Sequence, residues 1–356
     1  MKKIYKNALI DGVITDITVE NGKFLSFSKT SENGTDLKGS KVYAGLIDIH
    51  THGCMGADTM DGKLYDMPSY YANEGVTSYL PTTMTASMDV LKKITASDIT
   101  GLKGAKILGF HLEGPFISKE FKGAQNGKFI QNPNLEEFKK LKNIKMVTIA
   151  PELEGSAEFI KKCGCTVSIG HTGADYETAL AAIDAGAACL THTFNAMPPL
   201  HHRNPSVIGA ASDRGIYAQV ICDGLHIHPS AIRILYKIFG ADKMVLISDS
   251  MRAAGLCDGI YDLGGQNITV KDNSARLSDG TLAGSISTLL NCVRCAVKFG
   301  ICEKDAFKMA SETPAELLGV QLGKIEIGYD ADFIVLDNNL NLLKTVINGE
   351  IFYENI

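Results

Sequence analysis

Residues 165–194, CTVSIGHTGADYETALAAIDAGAACLTHTF, open on an apolar β-branched run. They continue into a segment whose apolar residues recur at helical spacing and close on a second apolar run. A strand, a helix and a second strand make one β/α unit, in which the two strands lie parallel. Both runs end in histidine, His171 and His192. Strands of a parallel sheet are buried on both faces and should be apolar throughout, so these polar ends call for an explanation.

Working outward, six more runs share this texture: KVYAGLIDIH from residue 41, VTSYLPTT from 76, KILGFHLEG from 106, IKMVTIAPE from 144, YAQVICDGLH from 217 and MVLISDS from 244. Helix-like segments separate them, PSAIRILYKIFG after the seventh being one. Eight β/α units predict an α/β fold, a (β/α)₈ TIM-like barrel, which takes about 250 residues. A doubly wound open sheet would put a G-x-G-x-x-G phosphate turn after its first strand, and that motif is absent.

The flanks differ from this middle. KIYKNALIDG and DITVENGKFLSF at the start, and KIEIGYDADFIVLDNNLNLLKTVINGEIFYE at the end, are short strands punctuated by Asp11-Gly12, Asn21-Gly22, Asn338-Asn339 and Asn348-Gly349. Neither end alone can bury a hydrophobic face. Residues 1–43 and 325–356 are therefore expected to pack together as a small β-sandwich domain, with the barrel, 44–324, inserted between them.

Composition narrows the function classes. With 45% hydrophobic and 21% charged residues the 356-residue chain is that of an ordinary globular protein, neither disordered nor fibrous. A formal charge of −5 offers no basic footprint for a nucleic acid. No apolar run approaches the ~18 residues of a membrane helix, and the opening MKKIYKNALIDGVITD lacks the features of a signal peptide, so a cytoplasmic location is expected. The nine cysteines are scattered through predicted regular elements, which suits a reducing compartment. Cys163 with Cys165 and Cys292 with Cys295 have metal-ligand spacing, but neither pair has a matching second half.

The polar residues gather at the carboxyl ends of the predicted strands, the side on which barrel active sites form. His50 and His52 close the first, Glu113 the third, His171 the fifth, His192 the sixth and Asp249 the eighth, while His226 follows the seventh. Residues two apart on a strand point the same way, so the HxH of His50 and His52 aims two imidazoles at one spot. A single histidine at a strand end is usually a hydrogen-bonded structural residue, and a single Asp is usually a helix cap. Five of nine histidines at one mouth, with two acids, read as a metal centre. The mix of imidazole and carboxylate suits Zn, Fe, Co or Mn as a divalent ion. Such an ion lowers the pKa of its water from about 15.7 to about 7, equivalent to about 12 kcal/mol of preference for hydroxide. Asp249 can then take the water's proton and return it to a departing nitrogen, which amide hydrolysis needs. His111, two residues before Glu113, is expected to support that ligand; His201, His202 and His228 fall in loops without a role.

These residues lie in familiar surroundings. GLIDIHTHG at 45–53, HLEGPF at 111–116, GHTGA at 170–174, THTFNAMPPL at 191–200, DGLHIHP at 223–229, ISDSM at 247–251, DGTLAGS at 279–285 and IGYDADFIVLD at 327–337 span nearly the whole chain. With these motifs the sequence resembles the amidohydrolase superfamily, and within it the N-acetylglucosamine-6-phosphate deacetylases. The resemblance implies that Glu113, His171 and His192 hold the main metal and that Asp249 is the catalytic acid and base. It further implies that Asn195 and Ala196 hold the sugar phosphate together with Arg203, and that Asp223, Gly224, Leu225 and His226 form a substrate segment. Leu282, Ala283 and Gly284 would close over the substrate. In the family this Arg reaches across from a neighbouring subunit, which implies a homodimer. Retention of His50 and His52 leaves room for a second ion bridged by Glu113, so one or two ions per subunit are expected. Where some members carry a His near the acyl group, KGAQN offers Ala124 and Gln125; an amide can donate to the acyl oxygen but cannot titrate.

The implied reaction, within amino-sugar catabolism, hydrolyses the N-acetyl group of N-acetylglucosamine 6-phosphate to glucosamine 6-phosphate and acetate. The galactosamine epimer is an alternative substrate that motifs separate poorly. A cyclic-amide hydrolase would want a metal-bridging lysine at the end of the fourth strand, and Lys145 is at its start. A non-catalytic sugar-phosphate-binding barrel would have no use for Asp249.

Overall fold

The structure, a computed structural model, describes residues 1–355. Eight parallel strands, Leu46–Thr51, Val76–Thr83, Phe110–Glu113, Ile144–Ile149, Thr166–Ile169, Cys189–Leu190, Tyr217–Ile221 and Met244–Ile247, pair each with the next. The ring closes where the Asp249 amide donates to the His50 carbonyl (2.9 Å) and the His52 amide to that of Ser250 (2.8 Å). The strands are buried nearly end to end, which is why they lack the polar alternation of a half-exposed sheet. At the opposite end of the ring Ile47 and Leu246 donate to the carbonyls of Ala310 and Met309, and an apolar cluster including Ile47, Ile49, Leu80 and Met146 packs with Leu317 and Leu318 of the helix Glu312–Leu318.

Two of the expected runs behave differently from a plain strand. KVYAGLIDIH divides at Gly45: Lys41–Ala44 joins the terminal sheet and Leu46–Thr51 the barrel. A Cβ at Gly45 would lie 2.1 Å from Thr77 Oγ1, so the crossing strand passes too close for any side chain. The sixth run pairs only over Cys189–Leu190 before the chain turns. The helix after the fifth strand runs Tyr176–Asp184, capped by Asp175. The one after the seventh runs Pro229–Lys243, with His228 as its cap and a break at Gly240.

Strands from both chain ends make a single eight-stranded mixed sheet, with Phe333–Leu336 pairing to Lys41–Ala44. Asp11-Gly12, Asn21-Gly22 and Asn348-Gly349 form its turns, all six residues having positive φ as tight hairpins of this hand require. Its core joins the two ends: Phe333 packs edge-on against Tyr5 with ring centres 5.1 Å apart, and also against Phe24. Tyr43 stacks on Phe307, and Lys41 pairs with Glu303, fastening the sheet to the barrel helices.

Residues 257–287, between the eighth strand and the helix Leu289–Lys298, hold an element the sequence reading did not assign. Gly259–Leu263, Gln266–Lys271 and Ser274–Arg276 form an antiparallel three-stranded flap. Leu263, Ile268, Val270 and Ala275 of the flap pack on Met84 and Met251 of the barrel rim. Among the described residues no helix is long and apolar enough to cross a membrane, and all nine cysteines are free thiols.

Candidate metal centre and its cavity

Glu113 ends the third strand and stands, fully buried, at the centre of four imidazoles. Its Oε1 lies 3.2 Å from His50 Nε2, 3.2 Å from His171 Nε2 and 3.1 Å from His192 Nε2, and its Oε2 lies 3.3 Å from His52 Nε2. Two groups with ion-holding spacing share it, one with His50 and His52 and one with His171 and His192. Asp249 Oδ1 completes the ring at 3.2 Å from His52 and 3.4 Å from His50.

Each imidazole is tethered through its other nitrogen. Nδ1 of His50 meets Gln219 Oε1 (3.0 Å), that of His52 the Thr82 carbonyl (3.1 Å), that of His171 the Phe121 carbonyl (2.9 Å) and that of His192 the Asn195 carbonyl (3.2 Å). All four partners are acceptors, so each ring carries its proton on Nδ1 and turns an Nε2 lone pair inward. Two such nitrogens, on His171 and His192, are 3.1 Å apart, and their lone pairs repel unless a positive charge is shared between them. His50 Nε2 is buried without a hydrogen-bond partner. The donor set therefore fits a divalent cation on its own chemistry.

The electrostatics agree. Burial works against charge on His50 and His52, yet the Glu113 and Asp249 carboxylates raise both pKa values. Burial likewise opposes ionisation of Glu113 and Asp249, and the surrounding imidazoles hold both below the usual carboxylate range. Two buried carboxylates here require positive charge, supplied by protons or by an ion.

The backbone at three site residues has the same peculiarity. His171, His192 and Asp249 each lie two residues past the last residue of their strand, and each has a left-handed φ, of 48°, 27° and 48°. For a non-glycine residue that conformation costs on the order of 1–3 kcal/mol, and such strain concentrates where a side chain must be aimed. It turns each side chain from the strand end toward the axis of the ring.

Around this centre opens a cavity of about 520 Å³, within the range of about 300–1,000 Å³ of small-molecule clefts. His52, Glu113, His171, His192 and Asp249 line it, as do Ala124, Gln125, Asn195, Ala196, His226, Leu282, Ala283 and Gly284. Asp223, Gly224 and Leu225 do not. Asp223 accepts from the Leu225 and His226 amides and from His226 Nδ1 (2.7 Å), so its carboxylate positions the histidine instead of facing the cavity. Arg203 is exposed and lies outside the lining, although its loop continues directly from Asn195 and Ala196.

Gln125 is already engaged. Its Nε2 donates to Glu113 Oε2 and its Oε1 accepts from the Thr85 amide, both at 2.6 Å, so in this geometry the amide steadies Glu113 and is not free for an acyl oxygen. His111 is satisfied at both nitrogens, by the Ile49 carbonyl and the Thr148 hydroxyl. Burial drives its pKa far down, leaving a neutral structural residue. Gln219, which sets the tautomer of His50, was missed in the sequence because a lone Gln in a strand carries no signal until its partner 169 residues away is known. Arg276 also lines the cavity. Its flap could have been read from alternating QNITVK between Gly264-Gly265 and Asp272-Asn273.

The chain matches the amidohydrolase family over residues 42–352. It is 38% identical to the N-acetylglucosamine-6-phosphate deacetylase of Bacillus subtilis (strain 168), over 99% of this chain and 94% of that protein. Among solved structures it is similar to the N-acetylglucosamine-6-phosphate deacetylase of Pasteurella multocida, with a TM-score of 0.94, 32% identity and full coverage of both chains. It is also similar to a variant of the Mycobacterium smegmatis enzyme in complex with N-acetyl-D-glucosamine 6-phosphate, with a TM-score of 0.92, 28% identity and 99% of each chain covered.

Proposed function

The chain belongs to the amidohydrolase family, and from that premise we propose that it hydrolyses N-acetylglucosamine 6-phosphate to glucosamine 6-phosphate and acetate. The observation that carries the reading is the convergence of four Nδ1-tethered imidazoles on Glu113 with Asp249 alongside, at the floor of a cavity of sugar-phosphate size.

Glu113, His171 and His192 would hold a divalent ion, Zn, Fe, Co or Mn, which would supply acidified water and polarise the acyl oxygen. His50 and His52 offer places for a second ion that shares Glu113. Gln125, Gln219 and the backbone carbonyls of Thr82, Phe121 and Asn195 keep the ligands in one orientation. Asp249, held as a carboxylate, is the catalytic base; its Oδ1 accepts the proton of the attacking water and delivers it to the amide nitrogen, so that an amine and not an amide anion departs. His226, with Asn195, Ala196, Ala124 and the Leu282-Ala283-Gly284 segment, holds the sugar phosphate.

Arg203 is exposed and outside its own chain's cavity, and in the homodimer that this reading includes it would enter the cavity of the neighbouring copy. A cytoplasmic place in amino-sugar catabolism accords with the substrate.

Acetate release from N-acetylglucosamine 6-phosphate, with Zn²⁺ or Fe²⁺ added and with a chelated control, tests the reading. Release that depends on the ion is expected, and none above the control would overturn it. A parallel kcat/KM measurement on the N-acetylgalactosamine epimer decides between the two sugars, with the glucosamine form expected to be the better substrate.

A further inference from the structure

The cavity as one chain builds it is acidic at its floor, yet the proposed substrate brings a phosphate. Its lining includes three carboxylates, Glu113, Glu120 and Asp249. Only one Lys or Arg among the described residues lines it, Arg276 at the end of the third flap strand.

The flap presents this residue by simple alternation. Ala275 is buried in the cluster formed with Met84, Met251 and Ile268, so the next residue along the strand faces the other way. The backbone of Arg276 pairs with Thr269 on one side and bridges to Leu282 on the other. Gln266 of the same flap donates to the Ala124 carbonyl, which ties the flap to a second wall of the cavity. The guanidinium is held in turn: Nη1 donates to the Gly280 carbonyl at 2.7 Å, leaving its remaining N–H donors for an anion. No carboxylate is its hydrogen-bond partner among the described residues.

His226 is the second element. Burial disfavours its charged form, but the Asp223 carboxylate at 2.7 Å holds its pKa above the ordinary value, and the charge of Arg276 is near enough to oppose this in part. Both side chains line the same cavity, so an imidazole and a guanidinium are on hand for one dianion. A planar fork of donors suits phosphate oxygens better than an ammonium does.

We propose that Arg276 binds the substrate's phosphate within its own subunit, together with His226, so that phosphate recognition does not depend on Arg203 of a neighbouring copy alone. This rests on the deacetylase reading and names the group that reads the anionic end of its substrate. It makes the flap a specificity element.

The test is a set of metal-loaded proteins: wild type, Arg276→Gln, Arg276→Lys and Arg203→Ala. For each, kcat/KM is measured with N-acetylglucosamine 6-phosphate and with unphosphorylated N-acetylglucosamine. The preference for the phosphorylated sugar is expected to fall about 10- to 100-fold in Arg276→Gln, the size of one charge-assisted hydrogen bond or two. Arg276→Lys should fall less, because the charge is kept and the fork lost. An unchanged preference in Arg276→Gln overturns the proposal, and so does an equal loss on both sugars, which would assign Arg276 to holding the flap through Gly280. Binding of inorganic phosphate, read by calorimetry or by thermal protection, separates this from the deacetylase reading because it needs no turnover. It should weaken about tenfold or more in Arg276→Gln even if neither sugar is hydrolysed, and equal phosphate binding by wild type and variant would refute the role of Arg276.

Discussion

At the inner end of the cavity Glu113 and the four imidazoles around it are almost wholly shielded from solvent, and every ring is tied through Nδ1 to a fixed acceptor. At the outer end Arg276 and Thr281 are exposed, and the walls come from a flap and loops that hang on the barrel rim. The inner groups must keep lone pairs aligned on one point within a few tenths of an ångström, so they sit on strand ends that the closed ring cannot let move. On the proposed reading the outer groups meet a solvated phosphate through long side chains, where small displacements cost little. That reading gives the chemistry to the scaffold and the selectivity to its insertions, a division that makes separable predictions.

The largest effect should come from the inner end. Asp249→Asn keeps the shape and removes the proton acceptor, so kcat should fall by about 10²–10⁴-fold while metal analysis finds the content of wild type. A variant turning over at the normal rate would mean that another group carries the proton. Next, Gln219→Leu leaves every ligand in place but frees His50 Nδ1 from its acceptor. Ion affinity, followed by titration with a chelator, should weaken about 10–100-fold, without altering the preference for phosphorylated over plain sugar. A change in that preference would blur the line between the two ends.

The smallest effect concerns the outer end and pH. His226 has a folded-state pKa raised above 6.5, so it is charged below that raised value and loses its charge as pH rises through it. KM for the sugar phosphate should therefore climb several-fold as pH rises through that raised value, with a flatter profile for unphosphorylated sugar. His226→Gln should remove the difference between the two profiles. Identical profiles in wild type would take His226 away from the phosphate.

The positions of His50, His52, Glu113, His171, His192 and Asp249 were legible in the sequence because a polar residue at the close of an apolar run contradicts its local surroundings. The barrel was legible for a related reason, since eight repeats of one strand-helix pattern leave few ways to bury every strand. Gln125 shows where such reading stops. Its amide looks available to a substrate until the structure shows both ends engaged, by Glu113 and by Thr85.

What the sequence determined by itself is thus whatever depends on spacing along the chain: alternating elements, the shared direction of His50 and His52, and the Gly-containing hairpins of the terminal sheet. Only the tertiary structure decided which nitrogen of each imidazole faces inward, the left-handed backbone at His171, His192 and Asp249, the division of one run at Gly45, and the bringing of Arg276 and His226 to one cavity. Those features are set by contacts between segments far apart in the chain. A contact of that kind leaves no periodic trace in either segment, because its energy resides in the meeting of the two.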